Sequence, residues 1–253
     1  MKNIDDFFIP ENNVDYISEE EYRNADYLIS ALEAFARVTY QSIYIIDYYK
    51  KNFLYVSENP LFLCGLTSDE VKEMGYTFYF NHVPDDEVYM LLELNRAGFV
   101  FFNNTPVEDR IKLSISYDFH IRNLKANKKI LINHKLTPMK LAKNGNIWLA
   151  SCVVSLSSNK EAGNIEARKM GELDYWLYSM KSRKWRRKSN IKLNDREKDI
   201  LTLSAQGYTM NEIADKLFVG IDAIKYHRKQ LFEKLNAKNI TEALFSVSNY
   251  KLL

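Results

Sequence analysis

Lys225, Tyr226 and Lys229 fall on one side of a stretch that repeats at helical spacing. Asp222, Lys225, Tyr226 and Lys229 follow an i, i+3, i+4, i+7 pattern that continues to Glu233. Two ammonium groups and a phenol one turn apart can donate hydrogen bonds to guanine O6 and N7, or to phosphate oxygens. The same residues also suit a plain solvated helix face, because most charged positions are simply exposed. What surrounds the helix decides between the two.

The positioning elements can be read from the letters. The run from Leu193 to Leu244 contains three polar caps, each followed three residues later by Glu: Asn194/Glu197, Thr209/Glu212 and Asn239/Glu242. In such a box the cap side chain satisfies a free backbone N–H and the Glu reaches back to the cap. Gly207 stands where a left-handed residue ends the first helix. The second helix, from about Met210, buries Ile213, Ala214 and Leu217. The third, from about Ile221, turns Ile224, Leu231 and Leu235 inward. A fourth, Thr241–Tyr250, carries Leu244, Phe245 and Val247, more apolar surface than a three-helix core requires. Short helices with tight turns describe a helix-turn-helix module.

On Leu193, Arg196, Glu197, Ile200, Leu201, Gly207, Glu212, Ile213, Ala214, Leu217, Lys225, His227, Lys234, Leu235 and Ala243, this segment resembles the LuxR-type helix-turn-helix family over about 60 residues without a gap. The resemblance implies that the third helix is a DNA recognition helix. Lys225, Tyr226 and Lys229 then face the bases, and His227 and Arg228 lie near the backbone. Thr209, at the start of the preceding helix, completes the set expected to contact DNA. Gly220 replaces the family's frequent Ser and Ala223 its frequent Thr. Gly remains an adequate cap, a few tenths of a kcal/mol worse than Ser, whereas the missing Thr hydroxyl removes a phosphate contact.

Charge agrees with this reading. Residues 181–253 hold 16 Lys+Arg against 8 Asp+Glu, whereas residues 1–180 hold 19 against 25. A basic end attracts phosphates and makes binding salt-dependent. The densest part, KSRKWRRK at Lys181–Lys188, suits a solvated linker or a contact with the DNA backbone equally.

The acidic remainder is long enough for a domain with its own core. Its apolar and aromatic content (46% and 13% over the chain) excludes general disorder. A capping box at Ser18/Glu21 opens a helix carrying Tyr22, Ala25, Leu28, Ile29, Leu32, Phe35 and Ala36. Ile43–Ile46 and Phe53–Val56 read as a hairpin around Tyr48–Asn52. Short helices start at Asn59-Pro60, at Ser68, and over Asp85–Ala97. Strands follow at Ser116–Leu124, Lys129–Pro138 and Asn146–Ser155. That order, with the runs IIDYYKKNFLYVSENPLFLCGLTSDEV and ISYDFHIRNLKANKKILINHKLTP, resembles a PAS domain, a sensor module. The resemblance implies a pocket between sheet and helices and a flanking helix at Ser18–Tyr40 that pairs two subunits. Phe62, Phe78, Phe80, Phe119 and Trp148 are candidate pocket residues, although aromatics of this size are commonly buried for packing alone. In GNIEARKMGELDYWLYSMKSRKW (163–185), alternation around Gly171 favours a β-hairpin over a continuous helix.

The expected fold is therefore α+β: a PAS-like five-stranded antiparallel sheet with flanking helices, followed by a four-helix LuxR-type helix-turn-helix domain. The segments are 1–37 (N-terminal segment and flanking helix), 38–158 (PAS-like sensor), 159–190 (linker hairpin) and 191–253 (DNA-binding domain). No cofactor is expected. Cys64 in FLCGLT lacks the polar neighbours of photoreactive flavin-binding PAS domains, and no spacing singles out His82, His120 or His134. His134 and Cys152 read as structural. Enzyme signatures such as HExxH, GxSxG, a Gly-rich phosphate loop or paired Cys are absent from the sequence. It also contains no apolar run long enough to span a bilayer, and MKNIDDFFIP lacks a signal-peptide core. The expectation is a cytoplasmic, homodimeric regulator that binds double-stranded DNA and takes a small-molecule or protein signal at its PAS-like domain. The alternative is a response regulator or other signal receiver whose N-terminal domain serves protein–protein interaction only. The first of these needs a parallel α/β receiver with Asp47 as an acidic site, but consecutive strands make Asp47 a turn residue. An acyl-homoserine-lactone receptor lacks its usual Trp and Tyr constellation before residue 148. The remaining competitor is an interaction protein whose basic tail binds an acidic partner.

Overall fold

Ser18 starts the first long helix, α1 (Glu19–Arg37), through the expected box: its hydroxyl accepts from the Glu21 N–H, and Glu21 accepts from the Ser18 N–H at 2.9 Å. The computed structural model describes residues 3–172, 174–188 and 192–250, arranged as two compact units, Met1–Lys188 and Ser189–Leu253. The expected boundary at 190/191 and the last three residues lie outside the described residues.

In the first unit two 3-10 turns, Ile4–Phe7 and Pro10–Asn12, precede α1. Then come β1 (Ser42–Asp47), β2 (Asn52–Val56), α2 (Pro60–Leu63), α3 (Ser68–Met74), α4 (Thr77–His82), α5 (Asp85–Asn103) and α6 (Val107–Arg110). The strands β3 (Leu113–Asn123), β4 (Lys128–Leu141), β5 (Ile147–Leu156), β6 (Gly163–Lys169), β7 (Tyr175–Ser179) and β8 (Lys184–Lys188) follow. They pair antiparallel in the order β2-β1-β5-β4-β3-β6-β7-β8. The first five are the PAS-like sheet expected from the sequence. The sheet does not stop there, and eight strands replace the expected five. The segment 159–190 carries three strands that continue the sheet from β3, so Lys184–Lys188, the latter part of KSRKWRRK, is its outermost strand and not a solvated linker.

Period-two alternation decides the faces. Tyr44, Cys152, Leu136 and Ile115 occupy one row of aligned positions across β1, β5, β4 and β3. With Phe53 and Phe119 they face α2–α5, which contribute Phe62 and Phe78, most of these side chains being buried to a few per cent. Burying such a side chain is worth about 1.5–3 kcal/mol. The opposite face presents Ile45 and Leu149 to Ala25, Tyr22, Ile29 and Leu32 of α1, and a bulge, in which Lys140 pairs with Leu149 and Leu141 with Ile147, turns Trp148 to the same side. Pro138, which lacks an N–H, sits where β4 breaks register with β5 and beyond its last pairing with β3 at Leu136. Asp47, expected in the turn, is instead the last residue of β1, and its carboxylate holds the turn that follows by accepting from the Tyr49 and Lys50 N–H groups and from the Tyr22 hydroxyl. Asp118, fully buried, accepts from the side-chain amides of Asn133, Asn159 and Asn164, which satisfies its oxygens and pins the 159–164 loop to the sheet.

The second unit holds α7 (Asp195–Ala205), α8 (Met210–Lys216), α9 (Ile221–Leu235) and α10 (Ile240–Tyr250). No helix among the described residues is long and apolar enough to cross a membrane.

Candidate nucleic-acid interface and an interior cavity

The scaffold under the α9 face is built from the capping boxes and two apolar clusters. Asn194 and Thr209 each accept from the backbone N–H of the Glu three residues on, and each Glu returns the bond. Asn239 accepts from the Glu242 N–H, while Glu242 accepts from the Lys238 N–H. Gly207 (φ +87) closes α7 with Tyr208 N–H bonded to Leu203 O, and Asn236 (φ 49) closes α9 in the same way through Ala237. Ile200, Ile213, Ala214 and Ile224 form one buried cluster, and Leu201, Leu231, Leu235, Ala243 and Val247 the other. Leu244 and Val247 of α10, expected as surplus apolar surface, belong to that second cluster. Glu197, 1% exposed, joins helices as well as capping one: Lys234 of α9 donates to it at 2.6 Å. The four-residue turn 217–220 passes through Phe218 in the left-handed region (φ 53) and leaves its ring 94% exposed. Gly220 then caps α9 with no side-chain bond.

This scaffold holds α9 with Lys225, Tyr226 and Lys229 outward, all three exposed. Lys225 meets Asp222 at 3.0 Å, an exposed pair of small energetic weight that is readily exchanged for another acceptor. His227 and Arg228 are half-buried. The His227 ring meets Tyr226 at 5.7 Å, and the Arg228 guanidinium lies over the Phe232 ring at 5.4 Å. Burial lowers the Arg228 pKa, but arginine keeps its charge. Thr209 stands apart from this group. Its hydroxyl is engaged twice with Glu212, at 2.8 and 3.4 Å, and the Thr209 backbone N–H first, then the hydroxyl, hold the Glu212 carboxyl below its ordinary range.

Lys225, Arg228 and Lys229 share a shallow concavity with Met210, Phe232 and Lys238. Tyr226, His227 and Thr209 are not on its wall. Sequence reasoning did not single out Lys238 or Met210 for this role. Lys238 precedes the Asn239 cap, and only the turn after α9 brings it beside Lys229.

The first unit encloses a cavity of about 80 Å³ between α5 and the sheet. Its walls include Tyr48, Tyr76, Tyr79 and Tyr117 with Phe99 and Leu136. None of the five aromatics expected to line a pocket does so. Phe62, Phe78 and Phe119 fill the core, and Phe80 packs on Phe7 at 5.6 Å. Trp148 lies on the other side of the sheet, 5.3 Å from Tyr22. Beside the cavity, the Tyr44 hydroxyl bonds the Tyr79 hydroxyl at 2.5 Å and His134 Nε2 at 2.6 Å. His134 Nδ1 is buried without a partner among the described residues. Burial pulls the His134 pKa down to about 3 and pushes the Cys64 thiol up to about 12. Among the described residues, no three His, Cys, Asp or Glu side chains gather as a metal site.

Residues 192–247 match the family described as bacterial regulatory proteins, luxR family. Over 61 residues, 24% of this chain, the sequence is 41% identical to the oxygen regulatory protein NreC of Staphylococcus carnosus and 39% identical to that of Staphylococcus epidermidis. The match spans 28% of the length of those relatives. Among solved structures, the phage VqmA–DPO complex is similar over 92% of both chains at 16% identity and TM-score 0.35. The Vibrio cholerae VqmA dimer without target DNA covers 88% of both at 13% identity and TM-score 0.34. A PAS domain from Colwellia psychrerythraea covers 53% of this chain and 100% of its own at 16% identity and TM-score 0.37.

Proposed function

We propose that this chain, whose C-terminal unit is a LuxR-type helix-turn-helix domain, is a cytoplasmic, sequence-specific DNA-binding transcription regulator controlled through its PAS-like first unit. The observation that carries the reading is the outward face of α9, where Lys225, Tyr226 and Lys229 stand exposed on a capped three-helix scaffold. In the reading, these three side chains enter the major groove and read base edges, while His227 and Arg228 approach the backbone from partly buried positions. Thr209 contributes at the start of α8, with a phosphate taking the place of Glu212 on its hydroxyl. Lys225→Ala and Lys229→Ala each weaken specific binding by ~1–3 kcal/mol and relax discrimination at one base position. Both residues are exposed, so the melting temperature stays at the wild-type value. The check is protection of a duplex selected from a random pool; unchanged protection in both variants rejects the recognition-helix assignment.

The regulatory half of the reading is that two copies place their recognition helices in half-sites about 34 Å apart, and that a signal at the first unit changes this spacing. Its support is an apolar stripe on the outer face of α1 and just beyond it: Leu28, Phe35 and Val38 are 36%, 53% and 79% exposed. The cavity suits a small ligand. At about 80 Å³ it offers roughly half the room of an engineered cavity that admits benzene. Native mass spectrometry of the full chain reads both points. The expected result is twice the 29.7 kDa chain mass, with a small adduct retained. A monomer at every accessible concentration defeats the spacing mechanism. A dimer without an adduct favours the alternative in which the first unit serves protein–protein contact alone.

A further inference from the structure

The strongest positive charge in this chain does not belong to the helical unit. Residues 189–253 hold 10 Lys+Arg against 8 Asp+Glu, whereas the eight residues Lys181–Lys188 hold six Lys+Arg and no acid. Most of the cationic excess therefore sits on the last hairpin of the first unit.

β8 ends the strand order, so among the described residues one of its edges pairs with no strand. Its side chains divide by alternation. Trp185 and Arg187 are committed: the Trp185 indole donates to Ala97 O at 3.2 Å and its ring lies 5.0 Å from Phe101, while Arg187 pairs with Asp174 at 2.8 Å. Lys184, Arg186 and Lys188 project from the other face, are exposed, and have no ion-pair partner among the described residues. Their cross-strand neighbours are Ser179, Leu177 and Tyr175, none of them acidic. Alternate strand positions are about 6.7 Å apart, so the three cations form a straight row about 13 Å long. The row is held by a packed strand, so little conformational freedom is lost when it meets a partner.

We propose that β8 is a second, sequence-independent contact with duplex nucleic acid, in which Lys184, Arg186 and Lys188 neutralise backbone phosphates outside the bases read by α9. This rests on the DNA-binding reading above. A row of unpaired cations with no hydrogen-bonding pocket fits a regularly charged rod and carries no base information. The helical unit, close to neutral overall, provides little of the phosphate attraction that duplex binding needs, and in sequence only residues 189–194 separate its first helix from β8. An acidic protein surface is the competing occupant.

The test uses full-length protein in which Lys184, Arg186 and Lys188 are all changed to Gln, binding a selected duplex and a random duplex across a salt series. Each neutralised phosphate contributes about 0.9 to the slope of log K against log salt, so the slope becomes shallower by about 2–3 while the selected-to-random ratio holds. The single variant Arg186→Gln keeps two charges on the open edge and shifts the slope by about one, with the wild-type circular dichroism spectrum and melting temperature. An unchanged slope in both variants overturns the proposal. So does loss of binding to polyglutamate with DNA binding intact, which assigns the row to a protein partner. Wild-type protein that binds no duplex at all removes the parent reading, and this inference with it.

Discussion

Glu197→Ala lowers the melting temperature of the helical unit by roughly 10–25 °C. Glu197 serves two elements. One oxygen accepts from the Asn194 N–H at 2.8 Å and so completes the cap of α7; the other accepts from Lys234 at 2.6 Å and ties α7 to the last turn of α9. Loss of half a cap costs up to ~1–2 kcal/mol. Removal of one partner from a fully buried ion pair costs ~3–5 kcal/mol because the other charge is stranded. Lys234 is not stranded, since its side chain is 37% exposed and can turn to water. The sum is thus ~2–4 kcal/mol, against roughly 3–9 kcal/mol for a unit of this size. Glu197→Gln keeps a cap acceptor and loses the charge, so its cost is about half. Calorimetry of the full chain separates the two units, and only the helical transition moves. A Glu197→Ala transition within about 1 °C of wild type would show that the buried carboxylate contributes nothing.

The first unit loses stability in acid through His134. Its folded pKa, about 3, lies below the ordinary 6.5 because burial disfavours the charged ring. The folded protein therefore keeps His134 neutral while the unfolded chain takes up a proton below pH 6.5. This contribution is complete above pH 6.5 and shrinks as pH falls, by about 1.4 kcal/mol per pH unit down to pH 3. At pH 4.5 the loss is roughly 2–3 kcal/mol. His134→Asn costs stability at pH 7.5, because the Tyr44 hydroxyl loses its 2.6 Å partner, but it removes this slope. Urea unfolding of both proteins between pH 7.5 and 4.5 gives converging curves, in which carboxylate effects common to both cancel. Parallel curves would mean that His134 is protonated in the folded state.

Local rules carried the sequence reading far where partners lie three or four residues apart. Ser18/Glu21, Asn194/Glu197 and Thr209/Glu212 all form the boxes their letters announce. α3 starts at Ser68 as expected, and Thr67 caps it because Glu70 sits three residues further on, while Ser68 bonds Glu58. α4 escaped notice since six residues give no usable period, and α5 runs on to Asn103 through Phe99 and Phe102, whose burial hides its polar face. The cavity was illegible for another reason. Tyr79 of its wall meets Tyr44 and, through it, His134 across 35 and 90 residues, and only strand pairing together with the packing of α4 on the sheet brings them together. The basic run misled by position. Lying beside the helical module in sequence, it reads as charge for that module, and the strand it forms is anchored by Trp185 on Ala97, 88 residues away.

α5 has two neighbours that the chain treats as one. Leu91, Gly98 and Phe99 wall the cavity, while Glu93 takes the Tyr178 hydroxyl at 2.5 Å and Ala97 and Phe101 hold Trp185. The wall of the hollow and the anchor of the final hairpin are therefore one helix, and Lys188 is the last residue of that hairpin. Under the sensing half of the proposal, a molecule seated in the hollow presses on the same helix that anchors the outgoing strand, as a crank shares its shaft.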